Sequence, residues 1–233
     1  NMSPDTYQRK IFNQDISVKK LLEGEVDTSM LTNTTVTPNG ALFRTDKQGF
    51  LPELLEEMYD QRVLFKRKMI EKQKELETID KNNLSKRKEC EYAIVKYNNN
   101  QMVRKISLNS CYGALGNQYF RYFNREIAEG ITTAGQLSIK WVEKAVNEYL
   151  NKLLETDTDY VVAIDTDSIY VTLDKLVAKF FPEGTPTEKI INFLDKVASE
   201  KLEPFIDRSY QLLAKKMNAY DQKMFMKREV IAD

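Results

Sequence analysis

The chain contains no histidine among its 233 residues and only two cysteines, Cys90 and Cys111. Without histidine there can be no Ser-His or Cys-His catalytic pair and no His-ligated zinc, which leaves carboxylates as the metal ligands. Such hard oxygen ligands suit Mg²⁺, with Mn²⁺ as the alternative. Two cysteines are too few for a disulfide framework and favour a reducing, cytoplasmic compartment. No apolar run approaches the roughly 20 residues of a membrane span, so we predict no membrane partner.

The chain also lacks a net charge, because its 35 Lys+Arg balance its 35 Asp+Glu. The charges are nevertheless unevenly distributed along the sequence. Residues 61–105 hold 13 Lys+Arg against 6 Asp+Glu, a surplus of +7, so the remainder carries −7. A basic stretch beside an acidic body fits one lobe that meets phosphates and another that holds metal. Charge alone favours the simpler interpretation, a solvated pair of charged helices.

Turn-forming residues divide the first half of the chain. Residues 1–50 are rich in Thr and Asn, with turn signals at 38–40 and 46–49, and predict short strands and loops. From Pro52, which suits a first helical position, a charged helical pattern extends to about Ile79. Asp80–Asn83 breaks it, and a second helix is predicted from Leu84 to about Tyr112. Having few large apolar residues, the two helices should form a projecting antiparallel hairpin.

The second half alternates helical and strand patterns. The aromatic run Tyr119–Phe123 is predicted to be core and strand rather than a base-stacking platform. A buried amphipathic helix should follow, with its apolar stripe at Ile127, Ile131, Ala134, Trp141, Ala145, Tyr149 and Leu153. Further predicted elements are a hairpin of Tyr160–Ile164 with Ile169–Leu173, helices at 187–202 and 204–217, and a final strand at 224–231.

The most informative stretch is Lys105-Ile-Ser-Leu-Asn-Ser-Cys-Tyr-Gly113. On a helix, Lys105, Asn109 and Tyr112 are separated by four and then three residues and therefore share one face. That face could hold a triphosphate with the Lys, a sugar or base edge with the Asn, and a stacked base with the Tyr. A helix end capped by Gly113 explains the glycine but not the Asn-Ser pair.

A second motif, Ala163-Ile-Asp-Thr-Asp-Ser168, lies between two β-branched runs and places Asp165 and Asp167 at a hairpin tip. Two carboxylates on rigid backbone are what a two-metal nucleotidyl transfer requires. Taken alone, the motif favours a plain hydrogen-bonded turn, because Asp, Thr and Ser are ordinary turn residues.

Together, in this order, the two motifs resemble family B DNA polymerases, and most closely the replicative polymerases of T-even-type tailed phages. The resemblance implies an α+β fold: a polymerase palm, an antiparallel sheet with packed helices, into which a two-helix fingers hairpin is inserted. It assigns residues 1–51 and 115–233 to the palm and 52–114 to the fingers. It also implies template-directed DNA synthesis, with a primer 3′-hydroxyl attacking a dNTP by a two-metal mechanism.

The resemblance assigns roles residue by residue. It makes Asp167 the main metal ligand and Asp165 a nearby supporting carboxylate, and it makes Lys105 a catalytic cation on the triphosphate. Arg62 and Lys66, four residues apart on the first fingers helix, match triphosphate contacts, although they could instead be solvated surface charge. It assigns Asn109 and Tyr112 to the pocket that holds the nascent base pair. The implied DNA contacts are Gly113, Thr166, Ser168 and Glu229.

This sequence departs from the family pattern at three places. The residue before the first Asp is usually Gly in the phage family, whereas here it is Ile164, which could crowd the primer end. Many phage relatives carry Asp where this chain has Lys227, which weakens the assignment of Glu229. Residues 1–4 resemble the segment just after the family's first catalytic motif, so the metal-bridging Asp and the sugar-discriminating Tyr of that motif are not in this sequence.

The resemblance therefore indicates that this chain is the palm-and-fingers part of a larger polymerase. By itself, this part is expected to be inactive. Its implied partners are primer–template DNA, dNTP, and the rest of the polymerase, with exonuclease, first motif and thumb; a sliding clamp is left open. If the gene is phage-encoded, the compartment is the host cytoplasm. Three alternatives stay open: a non-catalytic DNA-binding relative, a structural helical-hairpin protein, and an RNA-synthesising polymerase.

Overall fold

A computed structural model describes residues 9–232. In chain order the elements are β1 (Arg9–Ile11), β2 (Gln14–Ile16), α1 (Val18–Glu23), β3 (Thr34–Val36), β4 (Leu42–Arg44), α2 (Phe50–Thr78), α3 (Leu84–Leu115), α4 (Arg125–Leu154), β5 (Val161–Asp165), β6 (Ser168–Val171), α5 (Asp174–Phe180), α6 (Thr187–Val197), a π-helical segment (Ala198–Leu202) and α7 (Glu203–Lys216). Long helices with small antiparallel sheets agree with the predicted α+β class. Residues 1–4, which were compared with the segment after the family's first catalytic motif, lie outside the described residues.

The chain divides into two compact units. The helical unit is Lys47–Ala128, and the discontinuous unit combines Asn1–Asp46 with Glu129–Asp233. The boundaries predicted for palm and fingers, at 51/52 and 114/115, describe functional regions and not compact units, and they remain predictions. Within residues 9–232 no helix is long and apolar enough to cross a membrane.

Helices α2 and α3 of the helical unit confirm the predicted antiparallel pair. No α2 residue is fully buried, and in α3 only Cys90, Gln101 and Leu115 are, so the pair has little core, as its composition predicted. Two details differ. Pro52 lies in the first turn of α2, which begins at Phe50, and α3 continues past Gly113 to Leu115.

The prediction of core and strand at Tyr119–Phe123 is wrong. These residues form consecutive turns between α3 and α4, and Tyr119 is 88% exposed. Turn hydrogen bonds join Phe120 N to Asn117 O and Phe123 N to Phe120 O, both at 2.9 Å. Local turn chemistry, begun at Gly116-Asn117, therefore overrides the strand propensity of the aromatic run.

The sheets of the discontinuous unit are three separate antiparallel hairpins, β1–β2, β3–β4 and β5–β6. They pack with α4 and α7 into two clusters of buried side chains, one around Leu137 and Leu213 and one around Val142, Val146 and Tyr160. The hairpins alone would be marginal, because a two-stranded sheet needs a packing partner.

Helix α4 is predicted correctly, but the stripe assigned to its core side is shifted. Its fully buried residues are Gly130, Leu137, Ile139, Val142, Val146, Leu150 and Leu154, whereas Ile131 and Leu153 of the predicted stripe are exposed. The predicted strand at 224–231 is also wrong, since this segment has no regular secondary structure. The helices at 187–202 and 204–217 form, joined without a break by the π-helical segment.

Gly130 on α4 lies where the helix meets the β3–β4 hairpin. A Cβ there would lie 3.1 Å from Thr37 Oγ1, which already donates to Asn39 Oδ1 at 2.6 Å. Since that hydroxyl cannot easily move, we expect Gly130→Val to lower the free energy of unfolding by about 1–3 kcal/mol. Gly135→Val is the matched control, because a Cβ at Gly135 on the same helix meets nothing within 4 Å. Chemical denaturation measures both, and equal effects would contradict the packing account.

Candidate nucleotidyl-transfer site

The β5–β6 hairpin has a tighter tip than the sequence suggested. Asp165, the last residue of β5, pairs with Ser168, the first residue of β6, so Thr166 and Asp167 alone form the turn. Ser168 Oγ donates to Asp165 O at 3.1 Å, and Thr166 Oγ1 donates to Asp165 Oδ1 at 3.1 Å. Both aspartates are exposed. Asp165, Thr166, Asp167 and Ser168 are therefore held together, with two carboxylates facing solvent from one short turn.

A β-bulge sets which side chains of β5 face outward. The register shifts between Val161 and Ala163, so Val161 and Ile164 both face the core while Val162 and Ala163 are exposed. Because successive side chains of a strand alternate, Asp165 projects on the face opposite Ile164. The isoleucine that replaces the family's usual glycine thus packs into the core, away from the Asp165 carboxylate.

The turn itself has unusual backbone geometry at Thr166, whose φ is +53°. A β-branched residue rarely adopts a left-handed conformation, and such positions store about 1–3 kcal/mol. The favoured two-residue hairpin loops require positive φ at their first residue, so the tight turn itself imposes this conformation on Thr166.

We expect Thr166→Gly to raise the free energy of unfolding by about 1 kcal/mol, since glycine adopts positive φ without strain. The lost hydroxyl bond to Asp165 is exposed and offsets only part of this gain. Thermal unfolding of the variant beside the wild type tests the effect. Any loss of stability in Thr166→Gly would contradict it.

Helix α4 anchors the base of the hairpin through residues that the sequence did not single out. Asn147 Oδ1 accepts the backbone N–H groups of Tyr160 at 2.8 Å and of Val161 at 3.0 Å. One turn later, Asn151 Oδ1 accepts from Thr158 N at 2.9 Å. Two asparagines four residues apart on a helix could have been noticed, but nothing in the sequence indicates which backbone they bind.

Asp167 also interacts electrostatically with the interior. Burial, and secondarily the Asp167 carboxylate, raise the pKa of the buried Tyr210 phenol on α7. Tyr210 therefore stabilises the fold fully below about pH 10, the ordinary Tyr pKa, and this contribution is lost as the pH rises through its higher folded-state pKa. A cation beside Asp167 would oppose this effect of the carboxylate.

The donor set at the tip fits a hard divalent cation, since it consists of carboxylate oxygens in a solvent-accessible turn. Among residues 9–232, no three His, Cys, Asp or Glu side chains cluster in a way that could hold a metal. A metal ion held by Asp165 and Asp167 would therefore need further ligands from substrate, water or other protein segments.

In the helical unit, four residues of α3 show how it packs with α2. Arg87 donates to the carbonyls of Leu76 and Ile79, and Cys90 donates to that of Lys72. Farther along α3, the ring of Tyr97 contacts that of Phe65, and Arg104 donates to the side chain of Gln61. As the residue number rises along α3, that of its partner falls along α2, which shows that the two helices are antiparallel.

This register places the predicted cations together. Gln61 and Arg104 face each other, with Arg104 Nε donating to Gln61 Oε1 at 2.8 Å. Each residue of an α-helix points 100° around the axis from the one before it. In an antiparallel pair, the residues that directly follow two facing residues therefore point to the same side of the pair. Arg62 and Lys105 are those next residues, so they share one side at one level, with Lys66 a turn along.

The three cations differ in their surroundings. Lys66 and Lys105 are exposed, whereas Arg62 is half-buried and its Nε is buried with no hydrogen-bond partner in the described part of the chain. Buried donors are nearly always paired, so Arg62 has unmet capacity for an acceptor. A phosphate is one group that would meet it.

Asn109 and Tyr112 are exposed on α3, on the same face as Lys105. Gly113 follows within the helix rather than capping it, and a Cβ there would meet nothing within 4 Å. The backbone beside Tyr112 is therefore open to close approach by a large ligand.

Glu229 lies in the discontinuous unit, in a groove with Ile191, Asn192 and Asp195 of α6. The neighbouring Arg228 pairs with Asp195, and its N–H donates to Glu203 Oε1 at 3.0 Å. Among the described residues no hydrogen bond or ion pair joins Glu229 to either aspartate of the turn. Its assignment to DNA contact rests on the resemblance alone.

The helical unit thus has a cationic side, and the second unit carries two carboxylates in one turn. The family model for DNA polymerase family B matches residues 1–192, and the chain belongs to that family. The T4 phage "DNA-directed DNA polymerase" is 34% identical over 233 residues, covering 84% of this chain and 26% of the relative.

Two further relatives agree. The "DNA-directed DNA polymerase" of Escherichia phage RB69 is 46% identical over 134 residues, 57% of this chain and 15% of the relative. The "DNA polymerase" of Pyrococcus glycovorans is 29% identical over 172 residues, 72% of this chain and 18% of the relative. The chain thus spans about a quarter or less of the length of these curated relatives, and it resembles the T4-type phage enzymes.

Proposed function

We propose that this chain forms the palm and fingers of a larger DNA polymerase, with the palm at 1–51 and 115–233 and the fingers at 52–114. The reaction is template-directed transfer of a nucleotide from a dNTP to a primer 3′-hydroxyl. The observation that carries the proposal is the hydrogen bond of 2.8 Å between Arg104 and Gln61, since the residues that follow them, Lys105 and Arg62, should then lie on one side of the α2–α3 pair. It supplies the cationic side that a triphosphate needs, in a chain whose other unit offers two carboxylates in one turn.

In the proposed reaction Lys105, Arg62 and Lys66 bind the triphosphate and stabilise the charge that develops on the leaving pyrophosphate. Asn109 and Tyr112 line the pocket of the nascent base pair, and Gly113 lets the backbone approach it. Thr166 and Ser168 hold the Asp165 side of the turn against the primer end. Glu229 lies farther along the palm as a DNA contact.

Asp165 and Asp167 are the residues that would hold Mg²⁺, or Mn²⁺ in its place. When bound, a metal pair activates the 3′-hydroxyl and neutralises the phosphates, and this is the two-metal chemistry that the proposal requires. The chain's own contribution is the rigid turn that keeps both carboxylates at one place.

The proposal implies primer–template DNA and dNTP as substrates, and the remaining polymerase segments as partners. It also implies that the 233 residues alone extend a primer little or not at all. The proposed setting is the cytoplasm, that of the host cell if a phage encodes the chain. A sliding clamp as a further partner has no support in the described residues.

Primer extension by a chimaera tests the proposal. In the chimaera this chain replaces the matched segment of the T4 phage polymerase, and each dNTP is supplied separately with Mg²⁺. We expect extension only by the nucleotide complementary to the template. Primer–template binding without extension, in a chimaera that melts cooperatively, would favour the non-catalytic DNA-binding relative instead.

A further inference from the structure

Arg104 makes the contact between α2 and α3 that lies closest to the cations. Its Nε donates to Gln61 Oε1 at 2.8 Å, and its guanidinium carbon lies 4.5 Å from the centre of the Phe65 ring. A third contact fixes the guanidinium on its own helix, where Nη1 donates to Asn100 O at 3.1 Å. One half-buried side chain therefore engages two successive turns of α2.

The partner of Arg104 is itself fixed. Gln61 Nε2 donates to Glu57 Oε1 at 3.0 Å, which turns Gln61 Oε1 towards the arginine. Glu57, Gln61 and Arg104 thus form a chain of hydrogen bonds that begins and ends in a charged group. Such charge-assisted bonds are stronger and more directional than neutral ones.

Near the cations Arg104 makes the hydrogen bond that joins α3 to α2, whereas the hydrogen bonds of Cys90 and Arg87 lie towards the other end of the pair. No residue of α2 is fully buried, so no fully buried side chain of α2 fixes its position against α3. Packed helices have discrete alternative registers, and a slip of one turn would move α2 by about 5.4 Å relative to α3. Such a slip would separate Arg62 from Lys105.

The sequence positions of these contacts are informative. Gln61 directly precedes Arg62, Phe65 precedes Lys66, and Arg104 precedes Lys105. Three of the residues that join the helices are thus each followed by one of the three cations. A contact that fixes the first set therefore fixes the relative placement of the second.

We propose that Arg104 is a positioning residue, which holds α2 and α3 in the register that lets Arg62, Lys66 and Lys105 bind one triphosphate together. The inference rests on the proposed function, which it deepens. Lysine cannot replace it, because an ammonium keeps the charge but lacks the planar group that bonds Gln61 and stacks on Phe65 at once.

Steady-state incorporation by the T4 chimaera tests this with Arg104→Met, Arg104→Lys and a matched control, Arg87→Met. Arg87 also joins α3 to α2, but at the far end of the pair, through the carbonyls of Leu76 and Ile79. We expect Arg104→Met and Arg104→Lys to raise KM for dNTP about tenfold while kcat changes less than threefold. Arg87→Met should lower Tm without moving KM.

If Arg104→Met prevents folding, Gln61→Leu, which leaves the arginine in place, should still raise KM about threefold. An Arg104→Lys chimaera with the KM of wild type, or equal KM changes for Arg104→Met and Arg87→Met, would overturn the positioning role. Failure of the wild-type chimaera to extend any primer would instead overturn the proposed function, so the two failures are distinguishable.

Discussion

Replacing Asp167 by Asn in the chimaera is expected to slow nucleotide incorporation at saturating Mg²⁺ by a factor of about a thousand or more. The substitution keeps the size and shape of the side chain but removes the charge that would hold a cation at the turn. Losing several kcal/mol of charge stabilisation in the transition state corresponds to a loss of this order. Rapid-quench measurement of a single incorporation gives the rate directly.

The control is Asp157→Asn, because Asp157 is an exposed carboxylate in the loop before β5. It should leave the rate within about twofold of wild type, as surface substitutions generally do. Removing the Asp167 charge should not unfold the protein, since the carboxylate is exposed and, within residues 9–232, forms no ion pair. Equal rates for Asp167→Asn and Asp157→Asn would end the assignment of the turn as a metal site.

Lys105→Ala is expected to lower kcat/KM for dNTP by about a hundred- to a thousandfold, the typical cost of removing one group that stabilises developing charge. The loss should fall equally on correct and incorrect nucleotides, because the triphosphate is common to all four. Steady-state kinetics with each dNTP measures it.

Lys96→Ala serves as the matched variant for this experiment. Lys96 is exposed on the same helix, and because it lies nine residues earlier its side chain projects from the opposite side of α3. Stability should be similar in the two variants, since both remove an exposed lysine. A comparable loss of kcat/KM at Lys96 would show that the general charge of the helix pair, rather than one defined side of it, binds the triphosphate.

Sequence alone predicted the elements whose signals are local. Helices α2 and α3 follow from a long charged pattern interrupted at Asp80–Asn83, and the β5–β6 hairpin follows from two β-branched runs around turn residues. The comparisons confirm the family and the structure agrees with the α+β class. The site residues and the domain boundaries remain predictions.

Other features depended on contacts that no local pattern encodes. Helix α4 carries apolar residues on two adjacent faces, so periodicity could not decide that Val142 and Val146 are fully buried while Tyr149 packs at the edge of the same cluster. At Tyr119–Phe123 the turn chemistry of Asn117 outweighed aromatic strand propensity. Arg104 appeared in the sequence only as one more charge of a basic helix, because its partners lie on α2.

The most direct test of the account is a metal switch at the turn, with Asp167→Cys in the chimaera and single incorporation measured in Mg²⁺ and then in Mn²⁺ and Cd²⁺. Thiolate is a poor ligand for hard Mg²⁺ and a better one for softer cations. The account predicts that incorporation is lost in Mg²⁺ and recovers at least about tenfold in the softer metals. A Cys variant that incorporates nucleotide in Mg²⁺ at the wild-type rate would contradict the claim that Asp167 holds the catalytic metal.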